Sequence, residues 1–341
     1  MKVIVAAGGT FGHINPARVI ADEIKRLNNE VYFITDKKRD IRLENTDIIK
    51  FDSREFNRKK LFNNIINIFK NFIVYKKILR FIKKNKVDLV IGFGASISTL
   101  ALKAGIKLKG VKTILHEQNA VMGLGNRLVY KKVNKVLLTY DILRSGTVVG
   151  NPVNYDKLDI TNFYNKTILI TSGTNGAEKI NHFFMENYNV FISKGYKLIL
   201  ITGDSYYKNN IKRIIDVKSN VFEIYSKLDS LKDIYKKCSM VVCRSGSTTL
   251  SEVLSLKKLV ITIPSPNVTN NHQEKNAIYY ENKKMLEVIN ERELQDPYQF
   301  LFVIENMYKD RYKYVNNIEK YFIKNSKELF INEVYRVINN G

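Results

Sequence analysis

The chain is poor in several features that would have settled its class at once. Its 341 residues include only two cysteines, Cys238 and Cys243. Two thiols cannot build a disulfide framework or fill a structural zinc site, and they agree with a reducing compartment. No uncharged apolar run reaches the roughly 18 residues that a bilayer-spanning helix needs. Met1–Ala7 enters a strand pattern directly, without a secretory-signal pattern, which predicts a protein that stays in the cytoplasm. The dinucleotide fingerprint G-x-G-x-x-G is missing after that strand. Asp36, after the second strand, therefore reads as an ordinary loop acid and not as a nicotinamide-ribose ligand. No D-x-D pair occurs to hold a divalent cation against a diphosphate. Low-complexity segments are absent, as are aromatic-plus-basic RNA motifs and recognition-helix signatures. These gaps predict no cofactor, no resident metal and no nucleic-acid partner.

What the chain does have is positive charge, unevenly placed. The net charge is +23. Residues 1–154 hold 29 Lys and Arg against 12 Asp and Glu, while residues 155–341 hold 27 against 21. Genome bias explains many lysines but not that asymmetry. The N-terminal half is built to meet something acidic, such as nucleic acid, anionic lipid or a phosphorylated substrate. The stretch Phe56–Val87 contains no acid. It carries Arg58, Lys59, Lys60, Lys70, Lys76, Lys77, Arg80, Lys83, Lys84 and Lys86. Among them Phe62, Ile65, Ile66, Phe69, Phe72, Ile73, Leu79 and Ile82 recur at helical spacing. The pattern predicts a basic amphipathic helix pair. Part of its apolar face packs on the core, and residues 57–86 meet an anionic membrane surface.

Short apolar runs alternate with helical patterns along the whole chain. Val3–Ala7, Val31–Thr35, Asp88–Ile91, Thr113–His116 and Val136–Thr139 read as buried strands. The pattern restarts with Thr167–Thr171, Leu198–Thr202, Val221–Ile224, Met240–Cys243 and Leu259–Ile263. Strand, helix, strand in repetition predicts parallel, doubly wound sheets, and the restart predicts two Rossmann-like domains in tandem. The expected division is 1–152 and 153–341, with Gly150-Asn151-Pro152 as the hinge. Two terminal helices, near 310–326 and 327–340, are expected to pack back on the body.

The chemistry sits where strands end. Gly8-Gly9-Thr10-Phe11-Gly12-His13 follows the first strand, and Asn15-Pro16 is expected to open the next helix. Glycines let backbone approach a ligand, and a helix N-terminus favours an anion. His13 would stand at the mouth of the sheet, as a base or as a holder of phosphate or sugar hydroxyls. As a plain loop residue it would only cap the helix. His116-Glu117-Gln118-Asn119 ends another strand, and four polar residues there need solvent or a ligand. Glu117 is a second candidate base; otherwise the cluster only bonds neighbouring turns. Ser172-Gly173-Thr174-Asn175-Gly176-Ala177 and Arg244-Ser245-Gly246-Ser247-Thr248-Thr249 each run from a strand into a helix. Their amides and hydroxyls suit a diphosphate. Glu252, one to two turns into the second of these helices, can accept from two ribose hydroxyls, or can simply favour the helix dipole. The loop Asn271-His272-Gln273-Glu274 supplies amides that suit a sugar.

Taken in order, these motifs resemble the MurG family of peptidoglycan GlcNAc transferases, from Val3 to about Glu287. The most specific stretch is His116-Glu117-Gln118-Asn119 with Gly123, Gly125 and Asn126. Gly150-Asn151-Pro152-Val153, Cys243-Arg244-Ser245-Gly246, Ser251-Glu252, His272-Gln273 and Asn276-Ala277 add to it. The resemblance implies a GT-B fold, two Rossmann-like domains facing a cleft. It also implies an inverting, metal-independent transfer of GlcNAc from UDP-GlcNAc to lipid I at the cytoplasmic face of the bacterial membrane. On that resemblance His13 or Glu117 is the base. Thr10, Phe11, Gly12, Asn119, Thr174, Leu228, Ser247, Thr248, Glu252, His272 and Gln273 bind the donor. Gly94, Ser96 and Asn126 line the acceptor side. Phe11 stands where the family has glycine, and Gly94-Ala95-Ser96-Ile97-Ser98-Thr99-Leu100 departs from the family's second loop. Those departures keep two alternatives in view. One is a related transferase with another lipid acceptor; the other is a non-catalytic UDP-sugar binder.

Overall fold

The computed structural model describes the chain except residues 38–40, 42, 44–45, 55–60, 155–164, 173–175, 229 and 341, and the side chains of 61–65. It divides into two compact units, Met1–Asn154 with Asn325–Gly341, and Tyr155–Lys324.

In the first unit the chain runs β1 (Lys2–Ala6), α1 (Phe11–Arg26), β2 (Glu30–Asp36), β3 (Asp47–Phe51), α2 (Leu61–Asn85), β4 (Leu89–Gly92) and α3 (Ala95–Lys107). It continues through β5 (Lys112–Glu117), α4 (Leu124–Arg127), β6 (Lys135–Leu138) and β7 (Thr147–Val148). The sheet is parallel, in the order β3-β2-β1-β4-β5-β6-β7. Val3, Ile4, Val5 and Ala6 are all buried because helices cover both faces, which is why the strand reads as one apolar run. The order reverses between β1 and β4. Loops leaving the C-terminal ends of these two strands therefore diverge and leave a crevice.

The second unit repeats the plan with β8 (Thr167–Thr171), α5 (Glu178–Ile192), β9 (Lys197–Ile201), α6 (Asp204–Asn209), α7 (Ile211–Val217), β10 (Phe222–Tyr225) and α8 (Lys232–Lys237). Then come β11 (Met240–Cys243), α9 (Ser247–Ser255), β12 (Leu259–Thr262), α10 (His272–Glu281), β13 (Glu287–Val288), α11 (Pro297–Lys309) and α12 (Arg311–Tyr321). Its parallel order, β10-β9-β8-β11-β12-β13, reverses between β8 and β11. The last helix, α13 (Ser326–Asn339), belongs to the first unit.

Three expectations need correction. The chain crosses between units after Asn154 and again after Lys324, so 153–341 is not one domain. Phe330, Ile331 and Val334 of α13 join the core formed by Val3, Val5, Ile20 and Ile91. That apolar stripe is as well suited to one sheet as to the other until a partner is chosen. Gly150–Pro152 lies just ahead of the crossing after Asn154 and is tied to the first unit. His116 Nε2 bonds the Gly150 carbonyl at 3.1 Å, and Ser326 Oγ donates to the Asn151 carbonyl at 3.0 Å. The basic stretch forms one helix, α2, because residues 61–85 contain no Gly or Pro to break it. Finally, α1 starts at Phe11, and Pro16 lies inside it. Pro16 removes one helix bond, but the first turn still holds His13 through the Thr10 carbonyl, which accepts from His13 N at 3.0 Å. The edge strands β3, β7 and β13 are additions to the expected set.

Candidate active site

In the first unit three loops meet at the C-terminal edge of β1, β4 and β5. The β1 loop is held from the β2 side. Gly9 N–H donates to Asp36 Oδ2 at 2.6 Å, and Asp36 is buried. A Cβ on Gly8 would lie 2.5 Å from that carboxylate, so only glycine fits there. Asp36 is thus a brace for the loop, a role its sequence position did not reveal.

His13 lies on the first turn of α1 and is partly exposed. Its ring rests on Gly94. A Cβ at Gly94 would come within 2.5 Å of His13 Cδ2 and 2.8 Å of Nε2. Gly94 has φ +112° and Ala95 has φ +65°, so the turn into α3 is left-handed at two successive residues. Left-handed backbone at a residue with a side chain costs energy and often marks a functional turn. Ser96 follows in the first turn of α3, partly exposed. The structure therefore brings His13, Gly94 and Ser96 together. Phe11 turns onto the core of the first unit and is only partly buried.

The β5 loop is organised by Glu117, which is 2% exposed. Its Oε1 accepts from Asn119 N at 3.0 Å, with the Asn119 amide nitrogen at 3.5 Å. Its Oε2 accepts from Gly123 N at 2.9 Å and Asn126 Nδ2 at 2.7 Å. Burial raises the Glu117 carboxyl above the usual carboxylate range, and these hydrogen bonds oppose the rise. Asn126 is buried as well. Neither side chain is presented to an incoming ligand; together they fix residues 117–126. His116 is fully buried between Phe93 and Phe330. Burial depresses its pKa to about 4, so it is neutral at pH 7, with the proton on Nε2 facing the Gly150 carbonyl.

In the second unit the loops at the β8–β11 reversal are hydroxyl-rich. Ser172 directly follows β8, and Ser245 lies shortly after β11. Both Oγ atoms are buried and have no hydrogen-bond partner among the described residues. Ser251 Oγ, one turn into α9, is in the same state. Buried hydroxyls left open in this way are costly unless a ligand or water completes them. Ser247 and Thr248 open α9 and are buried. Glu252 follows on α9, partly buried, and its carboxylate has no protein partner among the described residues. Burial raises it from 4.5 to about 8.

The loop after β12 completes this side. Asn270 and Asn271 both adopt left-handed backbone before α10, a conformation asparagine tolerates. His272 Nδ1 bonds the Thr269 carbonyl at 2.9 Å. Gln273 Oε1 accepts from Ser265 N at 2.9 Å, which fixes its amide and leaves Nε2 to donate. Asn276 Nδ2 donates to the Ser245 carbonyl at 3.1 Å, linking this loop to the β11 loop. Leu228 stands beyond the end of β10, partly exposed. Thr174 lies outside the described residues.

Two parallel-sheet units with open hydroxyls and a carboxylate at one reversal point suit a nucleotide-sugar ligand, and comparison with known proteins places the chain among glycosyltransferases. Residues 3–138 match the glycosyltransferase family 28 N-terminal domain, and residues 167–334 match its C-terminal domain. A relative from Bacillus thuringiensis subsp. konkukian is 31% identical over 86% of this chain and 87% of its own length. It is named UDP-N-acetylglucosamine–N-acetylmuramyl-(pentapeptide) pyrophosphoryl-undecaprenol N-acetylglucosamine transferase 1. An enzyme of the same activity from Flavobacterium psychrophilum is 30% identical over 99% of this chain and 98% of its own. The crystal structure of Acinetobacter baumannii MurG superposes with a TM-score of 0.75 at 18% identity, covering 98% of this chain and 99% of that one. At that identity the structural likeness speaks to the fold, which is GT-B. The chain belongs to the MurG family of glycosyltransferases.

Proposed function

We infer that this chain transfers GlcNAc from UDP-GlcNAc to lipid I, releasing UDP and forming lipid II for peptidoglycan. The observation that carries the reading is end-to-end likeness to enzymes of that activity, 30% identical over 99% of the chain. The open groups of the second unit supply its chemical sense.

In this reading the donor is held by the second unit. Glu252 accepts from the ribose hydroxyls, and Leu228 meets the uracil through its backbone. Ser247, Thr248 and Thr174 take the diphosphate at the start of α9, where the helix dipole stabilises the leaving charge. His272 and Gln273 hold the sugar. Thr10, Phe11, Gly12 and Asn119 keep the donor role that the family resemblance implies. Gly94 and Ser96 serve the acceptor's pyrophosphate. Asn126 is reassigned from acceptor contact to loop brace, because its amide is engaged by Glu117. For the same reason the base is His13. Glu117 is buried with both oxygens occupied, whereas His13 is partly exposed and seated on Gly94. The acceptor's C4 hydroxyl loses its proton to His13 as its oxygen attacks the anomeric carbon, and UDP leaves with inversion.

The transfer is metal-independent in this account, supported by the lack of a D-x-D pair. The test is UDP release from UDP-GlcNAc with a short-chain lipid I analogue, with and without EDTA. Acceptor-dependent release unchanged by EDTA is expected; release abolished by EDTA would overturn metal independence.

The chain also works at the cytoplasmic face of an anionic membrane. No helix among the described residues is long and apolar enough to cross a bilayer. One face of α2 leaves Ile66, Phe69, Phe72 and Ile73 exposed, Phe69 at 66%, beside exposed Lys76, Lys77 and Arg80. The other face packs Val74, Ile78 and Ile82 into the core. Arg58, Lys59 and Lys60 lie outside the described residues, as do the side chains of Phe62 and Ile65. An apolar stripe rimmed by cations suits an anionic interface. Flotation with anionic liposomes at low salt should carry the protein upward, and Phe69→Glu should abolish this. Equal flotation of both proteins would count against α2.

A further inference from the structure

Arg244 directly follows β11 and precedes the hydroxyl loop, where an arginine reads first as a phosphate ligand. Its side chain is instead turned to other partners. Nη1 donates to the carbonyls of Ile263 at 3.1 Å and Pro264 at 3.2 Å. Nη2 pairs with Glu291, just after β13. Glu291 also pairs with Lys179 of α5 at 3.3 Å. Burial alone would raise the Glu291 carboxyl, but Arg244 and Lys179 bring it below the usual range, so it is ionised at neutral pH. Arg244 and Glu291 are largely shielded from solvent, whereas Lys179 is 70% exposed. Lys179 and Glu291 line an open cavity of about 560 Å³ with His182, Phe183 and Arg292. The outer pair is therefore screened by water, and the inner pair is the stronger of the two.

The two carbonyls held by Arg244 belong to the stretch that leads directly to Ser265, whose N–H fixes Gln273. We propose that Arg244 and Glu291 are positioning residues for the sugar end of the donor, holding residues 263–273 so that Gln273 presents its amide nitrogen. The proposal rests on the donor reading above. It adds that neither residue contacts the donor, and that their influence falls on the sugar more than on UDP.

That split supplies a test that a merely structural brace would not pass. UDP and UDP-GlcNAc are titrated separately by calorimetry into the full chain and into Glu291→Gln, Glu291→Asp and Lys179→Met. Loss of a shielded, charged hydrogen bond predicts UDP-GlcNAc binding weaker by about 5- to 20-fold in Glu291→Gln, with UDP binding changed by less than about 2-fold. Glu291→Asp keeps the charge and recovers part of the loss. Lys179→Met, at the screened end, shifts UDP-GlcNAc binding by less than about 3-fold. Equal weakening for UDP and UDP-GlcNAc would overturn the proposal, and so would unchanged binding of both. Unaltered protein that bound UDP but gained nothing from the sugar would also overturn it. Unaltered protein that bound neither would bring down the donor reading itself.

Discussion

The two units use the same sheet plan but differ in how their carboxylates are used: bound to loop N–H groups in the first, left open in the second. In the first unit two carboxylates hold the loops after β1 and β5, while Thr35 Oγ1 and Ser98 Oγ have no hydrogen-bond partner among the described residues. Asp36 holds Gly9, Glu117 holds Asn119, Gly123 and Asn126, and Gly94 lies flat under His13. In the second unit the corresponding edge leaves Ser172 Oγ, Ser245 Oγ and the Glu252 carboxylate without protein partners among the described residues. Carboxylates bound to loop N–H groups fix a geometry before any ligand arrives. An edge with open polar groups is finished by a ligand that brings hydroxyls and phosphates. The first suits placement of a base; the second suits capture of a nucleotide sugar.

The largest expected effect comes from the one titratable group that the first unit leaves partly exposed over its glycine seat. His13→Ala should lower kcat by about 10²- to 10⁴-fold. UDP-GlcNAc affinity in calorimetry should stay within about 2-fold of the parent. Gly94→Ala should come next. Its Cβ would sit 2.5 Å from His13 Cδ2, so the ring must move. Displacement of a reacting group by about 1 Å costs on the order of 100-fold in turnover. Near-normal kcat in Gly94→Ala would show that the seat does not position His13.

Glu252→Gln tests the open edge. A lost charged hydrogen-bond acceptor should weaken UDP binding by about 10-fold or more. Proton linkage sharpens this prediction. The free protein holds Glu252 at about 8, against 4.5 when unfolded, so the folded state binds the extra proton between those values. Stability contributed by that proton is present below pH 4.5 and is lost as pH rises through 8. The Tm of the parent should therefore fall across that window more steeply than that of Glu252→Gln. UDP binding at pH 7 should also release protons from the parent but not from the variant, because ribose hydroxyls favour the carboxylate. Identical proton release would remove Glu252 from the donor site. The smallest catalytic effect is expected at Glu117→Gln. It replaces one acceptor oxygen by an NH2 donor facing N–H groups and should cost about 1–3 kcal/mol of stability in denaturant melts. UDP-GlcNAc affinity should stay close to that of the parent.

The sequence carried the architecture well where a run of apolar residues is buried on both faces. All ten expected strands are present within a residue or two. The edge strands were not legible because a half-exposed stretch such as Asp47–Phe51 lacks that signal, and β7 and β13 have only two residues each. The placement of α13 was hidden because Phe330, Ile331 and Val334 state that the helix is amphipathic, not which sheet it covers. At the site, residue types at strand ends singled out loops that the fold gathers at the C-terminal edges of the two sheets. Their orientation did not follow from type. Glu117 looks like a base in sequence and is a brace in the fold. Asp36 looks incidental and holds the first loop. Arg244 carries no role of its own in sequence and turns to two carbonyls and Glu291. Asp36 and Arg244 depend on hydrogen bonds to residues far along the chain, and Glu117 depends on a loop that folds back on it, none of which residue type encodes.

The most direct test of the account is the mass of the lipid product after incubation of the purified chain with UDP-GlcNAc and lipid I. The expected product is an acceptor heavier by one N-acetylhexosamine, formed together with one equivalent of UDP. An unchanged lipid, with UDP-GlcNAc either intact or simply hydrolysed, would contradict it.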